Sequence, residues 1–87
     1  RLRMFKNKVK NGRLNLCGEN IYRLRKEQEP RMSQRMLAER LQLTGVDVDK
    51  NAIQRIEAGK RFVTDIELLG LAKIFHTSCD ALLNHKK

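Results

Sequence analysis

Aromatic residues and proline are scarce in this chain, and each shortage narrows the choice of fold. Aromatics make up 5% of the 87 residues, Trp is absent and Pro occurs once. Because β-sheets favour aromatic and β-branched side chains, this composition indicates an aliphatic, helix-packed interior. The length suits one small domain with a single core. We therefore expect an all-α fold.

Cysteines and long apolar runs are also few. The only two cysteines, Cys17 and Cys79, lie far apart and form no C-x-x-C pair. With no secretory signal before them, neither a disulfide framework nor a zinc knuckle is expected, and a reducing cytoplasm is the default location. No apolar run approaches the roughly 20 residues of a membrane-spanning helix, so no membrane partner is expected.

Motifs for catalysis and metal binding are missing as well. His76, Cys79 and His85 have the chemistry of zinc ligands, but their spacing is poor, and a helix end and a small apolar filler explain His76 and Cys79 better. No nucleophile motif and no glycine-rich phosphate loop occurs. We predict that the chain binds no metal, cofactor or small-molecule ligand and is not an enzyme.

Positive charge is abundant and unevenly distributed. Residues 1–16 hold six cations and no acid, and removing these six from the net charge of +9 leaves +3 for the remainder. The segment has no sustained hydrophobic period, so we predict a flexible basic N-terminal arm over residues 1–17. It either enters a DNA minor groove or remains an unstructured tail. The six cations are Arg1, Arg3, Lys6, Lys8, Lys10 and Arg13.

Hydrophobic periodicity and capping residues predict five helices in a domain over residues 18–84, followed by a polar tail over residues 85–87. Helix one begins at Gly18 and ends near Glu29-Pro30. Gly59 is predicted to end helix three, because glycine readily adopts the left-handed conformation found just after a helix. The predicted caps are Ser33, Asp47 or Asp49, Thr64 and Ser78. The later helices cover 34–41, about 50–58, 65 to about 76, and a short segment after Ser78.

Two short helices joined by a turn carry the strongest functional signal. In the second of them Ile53 and Ile56 point inward, so its polar residues point outward. One α-helix fits the major groove of DNA, where Asn can pair with adenine and Arg with guanine through two hydrogen bonds each. Gln34, at the start of the first helix of the pair, can donate to a phosphate. The outward residues are Lys50, Asn51, Gln54 and Arg55.

Three runs in this order resemble the Cro/repressor-type (Xre, lambda-repressor-like) helix-turn-helix family. They are Ser33-Gln34 with Leu37-Ala38, residues 53–61 (IQRIEAGKR) and residues 68–75 (LLGLAKIF). The resemblance covers roughly residues 18–83. It implies a five-helix lambda-repressor-like domain whose third helix is the recognition helix. It also implies a DNA-binding transcriptional regulator, a repressor, of bacterial or phage origin.

The resemblance assigns a role to each matching position. It implies that helix two supplies a contact to phosphate and base, that helix three reads bases, and that the loop after helix three binds the DNA backbone. In that order the implied DNA-binding residues are Gln34, then Lys50, Asn51 and Arg55, then Lys60 and Arg61. Arg35, next to Gln34, and Gln54, on the outward face of helix three, complete the predicted DNA-binding set. Arg25 and Glu57 match a pair that joins helix one to helix three.

Two insertions depart from the family pattern. The stretch from Leu43 to Ile53 is about five residues longer than usual, and Pro30-Arg31 adds two residues before helix two. The longer turn brings Asp47 and Asp49 next to the recognition helix, where their charges would repel phosphate. We expect them to cap the helix and point aside.

A homodimer on DNA is expected because one recognition helix reads few base pairs, and paired half-sites about 34 Å apart multiply specificity. Ala81–Asn84 is the candidate dimer surface, since Leu82 and Leu83 lie so near a polar end.

Two other functions compete with this interpretation. An antitoxin-like or protein-interaction module, with DNA binding secondary, would use an apolar patch of Leu43, Val46 and Val48. Burial of the two valines would remove that support. RNA binding is less favoured because the chain lacks aromatic platforms for unpaired bases, and its sole tyrosine, Tyr22, lies on helix one.

Overall fold

The structure is a computed structural model that describes residues 12–84. Five α-helices and no strand occur within this range, which confirms the expected all-α fold. None of these helices is both long and apolar enough to cross a membrane. The helices are α1 (Gly18–Lys26), α2 (Gln34–Leu43), α3 (Lys50–Glu57), α4 (Asp65–Ile74) and α5 (Cys79–Leu83).

Side-chain caps fix where the last four helices begin. In each, an oxygen of the capping side chain accepts a hydrogen bond of 2.8–3.2 Å from the backbone N–H three residues on. A cap of this kind stabilises a helix by about 1 kcal/mol. The four caps, all predicted, are Ser33, Asp49, Thr64 and Ser78, with Asp49 rather than Asp47 before α3.

The first helix is shorter than expected. It ends at Lys26 instead of near Glu29-Pro30. The carbonyl of Arg25 accepts hydrogen bonds from the amides of Gln28 and Met32, both at 3.3 Å, so the chain turns back after Lys26. This turn places Met32, 2% exposed, in the core.

Every helix contributes to one hydrophobic core. The helix α2 packs against α3 and α4, α1 packs against α3 and α5, and α4 packs against α5. Because these neighbours cover its inward side only, α3 keeps one face open to solvent. The most deeply buried helical residues are Ile21, Leu37, Leu41, Ile53, Ile56, Leu71 and Leu82, each at most 1% exposed.

The long turn between α2 and α3 is anchored to the core. Val46 and Val48 are 6% and 3% exposed. The amide of Val46 donates to the carbonyl of Leu41 at 3.0 Å, and Gln42 Nε2 donates to the carbonyl of Val48 at 2.6 Å. Val46 also packs against Gly70 in α4, where a Cβ would lie 2.9 Å from Val46 Cγ2. The extra residues therefore form a packed connection.

The packed unit begins earlier than the expected domain boundary at residue 18. The arm was expected to be flexible through residue 17, but Asn15 is 9% exposed and Cys17 is 1% exposed. The amide of Leu14 donates to the carbonyl of Gly59 at 2.8 Å, across the domain. This segment has no hydrophobic period because its contacts are made by single side chains and backbone groups. The remainder of the predicted arm, residues 1–11, lies outside the described residues, as does the predicted tail.

Burial makes the thiol of Cys17 hard to ionise. Removal from water raises its pKa to about 11, against an ordinary value of 9.0. The thiolate is the reactive form, so Cys17 is expected to resist alkylation in the folded protein, while half-buried Cys79 reacts. Iodoacetamide labelling at about pH 8, followed by mass spectrometry, checks this expectation. Both residues should react in denaturant. Equal labelling of Cys17 and Cys79 in the native protein would contradict the described burial.

Candidate nucleic-acid interface

The outward face of α3 is polar and unoccupied by other side chains. Asp49 fixes the start of the helix, and Ile53 and Ile56, at 0% and 1% exposure, fix its rotation about its own axis. Within residues 12–84, none of the four predicted base-reading side chains has a hydrogen bond or ion pair. All four are exposed: Lys50, Asn51, Gln54 and Arg55. Their donors and acceptors are therefore available to a groove.

The end of α3 is fixed by a tight backbone motif. The amide of Gly59 donates to the carbonyl of Ile56 at 3.0 Å, and the amide of Lys60 donates to the carbonyl of Arg55 at 2.9 Å. Gly59 has a φ of +78°, the left-handed conformation that this Schellman motif requires and that glycine adopts without strain. This motif fixes the position of the Lys60 backbone relative to that of Arg55. The side chains of both residues are exposed.

Glu57 joins three helices at one buried point. Its carboxylate accepts two hydrogen bonds from Arg25 of α1, at 2.7 and 2.8 Å, and one from Gln34 Nε2 of α2 at 2.9 Å. The side chains of Arg25 and Glu57 are 8% and 7% exposed. Arg25 Nη1 also donates to the carbonyl of Met32 at 3.0 Å. This network sets the position of α3 relative to α1 and α2.

The two predicted contacts of α2 differ in their surroundings. Arg35 is exposed. Gln34 is half-buried and uses one of its two amide N–H groups in the bond to Glu57. The other N–H remains available for a phosphate. Gln34 can therefore connect the network around Glu57 to the backbone of bound DNA. Its role at DNA stays a prediction.

Arg61 is already paired inside the protein. Its guanidinium donates two hydrogen bonds to the carboxylate of Glu67, at 2.8 and 2.9 Å, and one to the carbonyl of Phe62 at 3.0 Å. The hydrogen bonds from Arg61 hold the pKa of Glu67 below its ordinary value, and the same bonds raise the pKa of Arg61. Of the two loop cations predicted to bind the DNA backbone, only Lys60 has no such carboxylate partner within residues 12–84.

Replacing Glu67 by Gln is expected to lower the free energy of unfolding by about 1 kcal/mol at about pH 7. A lowered native pKa means that the charged carboxylate stabilises the fold above its unfolded pKa of about 4.3. That contribution is lost as the pH falls through the native value. In urea unfolding, the stability difference between wild type and variant should therefore shrink steadily as the pH is lowered below about 4.3. Glu39→Gln, an exposed position on α2, is the control, and a difference that persists in acid would contradict the assignment.

Residues just before α1 hold the end of α3, a contact that was not predicted from the sequence. Arg13 Nη2 donates to the carbonyl of Glu57 at 2.8 Å. Asn15 Nδ2 donates to the carbonyls of Ile56, at 3.0 Å, and Arg61, at 2.8 Å. The available signal was an Asn three residues before a helix start, since such side chains bond nearby amides. The sequence did not indicate that this side chain also bonds the backbone carbonyls of Ile56 and Arg61.

Clustered metal ligands are not found in the part of the chain that is described. No group of three or more His, Cys, Asp or Glu side chains within residues 12–84 is placed to hold a metal ion.

One of the comparisons with known proteins, the family match, agrees with this geometry. Neither the curated proteins nor the solved structures contain a match to the chain. A family model described as helix-turn-helix matches residues 21–82, from α1 through most of α5. This match spans more than half of the chain and includes both helices of the candidate interface. The chain therefore belongs to the Cro/C1-type, Xre-like helix-turn-helix family of DNA-binding transcription regulators.

Proposed function

We propose that the protein binds specific double-stranded DNA sequences as a homodimer, with α3 in the major groove, and represses transcription by occupying its site. The observation that carries the proposal is the outward face of α3, where four polar side chains have no partner within residues 12–84. Asn and Arg on an exposed helix face can each make two hydrogen bonds to a specific base, so this face can distinguish DNA sequences.

Each part of the interface has a distinct task in this proposal. Arg55 and Asn51 read base edges, and Lys50 and Gln54 assist from neighbouring positions on the same exposed face. Lys60 binds phosphate, which fixes the register of the protein on the duplex without reading sequence. Arg35 and Gln34 add phosphate contacts from α2. Arg61, neutralised by Glu67, holds the loop in place.

The proposed dimer rests on half-site geometry more than on α5. Of the two leucines that suggested Ala81–Asn84 as the contact surface, Leu82 is 0% exposed and belongs to the core. Leu83, at 37% exposure, is the large apolar side chain that α5 still exposes. Sedimentation of the protein, measured alone and bound to a palindromic duplex, tests the dimer. A single protein chain in both measurements would contradict it.

The competing protein-interaction function loses most of its apolar patch. Val46 and Val48 are buried, and Val46 packs against Gly70. Leu43, 87% exposed, is what remains of the patch. This alternative therefore returns only if DNA selection fails.

Selection of bound sequences from a random duplex pool, repeated at two salt concentrations, tests the proposed function. Phosphate contacts weaken steeply with salt, whereas base contacts keep their preference between sequences. We expect a palindromic motif that survives at the higher salt. Enrichment of no sequence, with all binding lost as salt rises, would contradict specific recognition.

A further inference from the structure

We propose that Asn15 is a positioning residue for DNA binding: from beneath the interface it holds the loop that carries Lys60. The inference rests on the proposed function, because it concerns how that interface is kept in shape. Asn15 precedes α1 in the chain and has no counterpart among the residues that the family resemblance assigned to DNA.

The side chain of Asn15 makes three hydrogen bonds from a buried position. It is 9% exposed. Its Nδ2 donates to the carbonyl of Ile56, in the last turn of α3, and to the carbonyl of Arg61. Its Oδ1 accepts the amide of Gly18 at 2.8 Å. One amide group therefore ties the start of α1 to both ends of the segment that contains Lys60.

Neighbouring backbone contacts restrain the same loop. The amide of Leu14 bonds the carbonyl of Gly59, directly before Lys60, and the amide of Lys60 bonds the carbonyl of Arg55. A Cβ at Gly18 would collide with the carbonyl oxygen of Ile56, so α1 and the end of α3 are in close contact. The backbone of Lys60 is thus bonded before, at and after the residue, while its side chain is exposed.

A fixed backbone favours a phosphate contact because less conformational entropy is lost when the ion pair forms. Loss of the Asn15 bonds would leave the carbonyls of Ile56 and Arg61 without this donor and release the restraint on the loop. Lys60 would then have to be ordered at the moment of binding. We expect weaker phosphate binding with the lysine itself intact.

The chain supplies a matched control in Asn20. Its Nδ2 also donates to two carbonyls, those of Leu82 at 2.7 Å and Asn84 at 2.9 Å, and it is 7% exposed. These acceptors lie apart from the predicted DNA-binding residues but within Ala81–Asn84, the candidate dimer surface. Sedimentation must therefore first show that Asn20→Ala has the same oligomeric state as the wild type. Replacing Asn20 by Ala therefore removes the same type of bond at a place that does not restrain Lys60.

The experiment compares Asn15→Ala and Asn20→Ala in urea unfolding and in binding to a labelled duplex of random sequence. Binding is measured at a temperature at which both variants are folded. Both should lose stability to a similar extent. Only Asn15→Ala should weaken binding, by about three- to tenfold, with the slope of log affinity against log salt reduced by about one. If Asn15→Ala does not fold, Asn15→Ser is measured in the same way.

A double-mutant cycle with Lys60→Ala separates this role from a general loss of structure. If Asn15 acts through Lys60, its replacement should weaken binding little further once the lysine is gone. Equal affinities for Asn15→Ala and Asn20→Ala, or fully additive losses in the cycle, would overturn the inference. If wild type enriches no sequence and Asn15→Ala still reduces the salt slope, the proposed specificity fails while the inference stands.

Discussion

Replacing Glu57 by Ala is expected to lower the free energy of unfolding by about 3–5 kcal/mol. The substitution removes the carboxylate from a junction where the side chains of Arg25 and Glu57 are 8% and 7% exposed. Among the described residues, the carbonyl of Met32 would be the one hydrogen-bond acceptor left to the buried guanidinium of Arg25. Gln34 would lose its bond to Glu57. A buried charge without a counter-ion costs far more than the original pair contributed.

The size of this effect matters because a small domain has a total stability of only about 5–10 kcal/mol. Glu57→Ala should therefore be largely unfolded at moderate urea concentrations that leave the wild type folded. Glu57→Gln, which keeps one acceptor oxygen for Arg25, should lose less.

Glu27→Ala is the matched control, since Glu27 forms an ion pair with Arg23 whose side chains are 57% and 50% exposed. An exposed pair four residues apart on a helix contributes about 0.3–0.5 kcal/mol. Urea unfolding of the two variants should differ by several kcal/mol in free energy. Equal losses would contradict the buried junction as the element that holds α3 in place.

Replacing Arg55 by Ala is expected to cost about 1–3 kcal/mol of binding free energy on the selected sequence and to relax the preference at one base pair. Arg55 is exposed on the outward face of α3, and its guanidinium can make two parallel hydrogen bonds to guanine. On random-sequence DNA the loss should be small, because most of those duplexes have no guanine at the position that Arg55 reads.

Lys60→Ala should behave differently, since a lysine on a backbone loop binds phosphate in every sequence alike. Its loss is expected to be the same on selected and random duplexes. Arg40→Ala removes one positive charge from the last turn of α2, outside the predicted interface, and controls for net charge. Equal losses on both duplexes for Arg55→Ala would refute its role as a base reader.

The helices were predictable because their signals are local. Ser33, Asp49, Thr64 and Ser78 each cap a helix through an amide three residues away, so a cap can be read from a short window of sequence. The inward position of Ile53 likewise follows from helical periodicity alone. Periodicity therefore also determines which residues of α3 face outward, and these residues are the candidate base readers.

Contacts between distant parts of the chain were not predictable in this way. Val46 is buried because Gly70, far along the chain, leaves room for it in α4. Asn15 bonds backbone carbonyls at Ile56 and Arg61, and a carbonyl is present at every residue, so no side-chain pattern marks the acceptors. The local signal in residues 12–17, an Asn three residues before α1, therefore did not show that the segment is packed against α3.

Arg61 lies between these cases. The resemblance implied a contact with the DNA backbone, whereas the guanidinium is bonded to Glu67 six residues on. A capping box of Thr64 and Glu67 was readable from the sequence and would have placed this carboxylate at the start of α4. It would not have shown that the chain after Gly59 brings Arg61 within reach.

Methylation interference at guanine N7 on the selected duplex, with wild type and Arg55→Ala compared, tests most directly whether α3 reads the major groove. N7 lies in that groove and is one of the two atoms to which an arginine binds guanine. We predict a guanine in each half-site whose methylation weakens the wild type and leaves Arg55→Ala unaffected. Interference at no guanine, or the same pattern for both proteins, would contradict the proposed placement of α3.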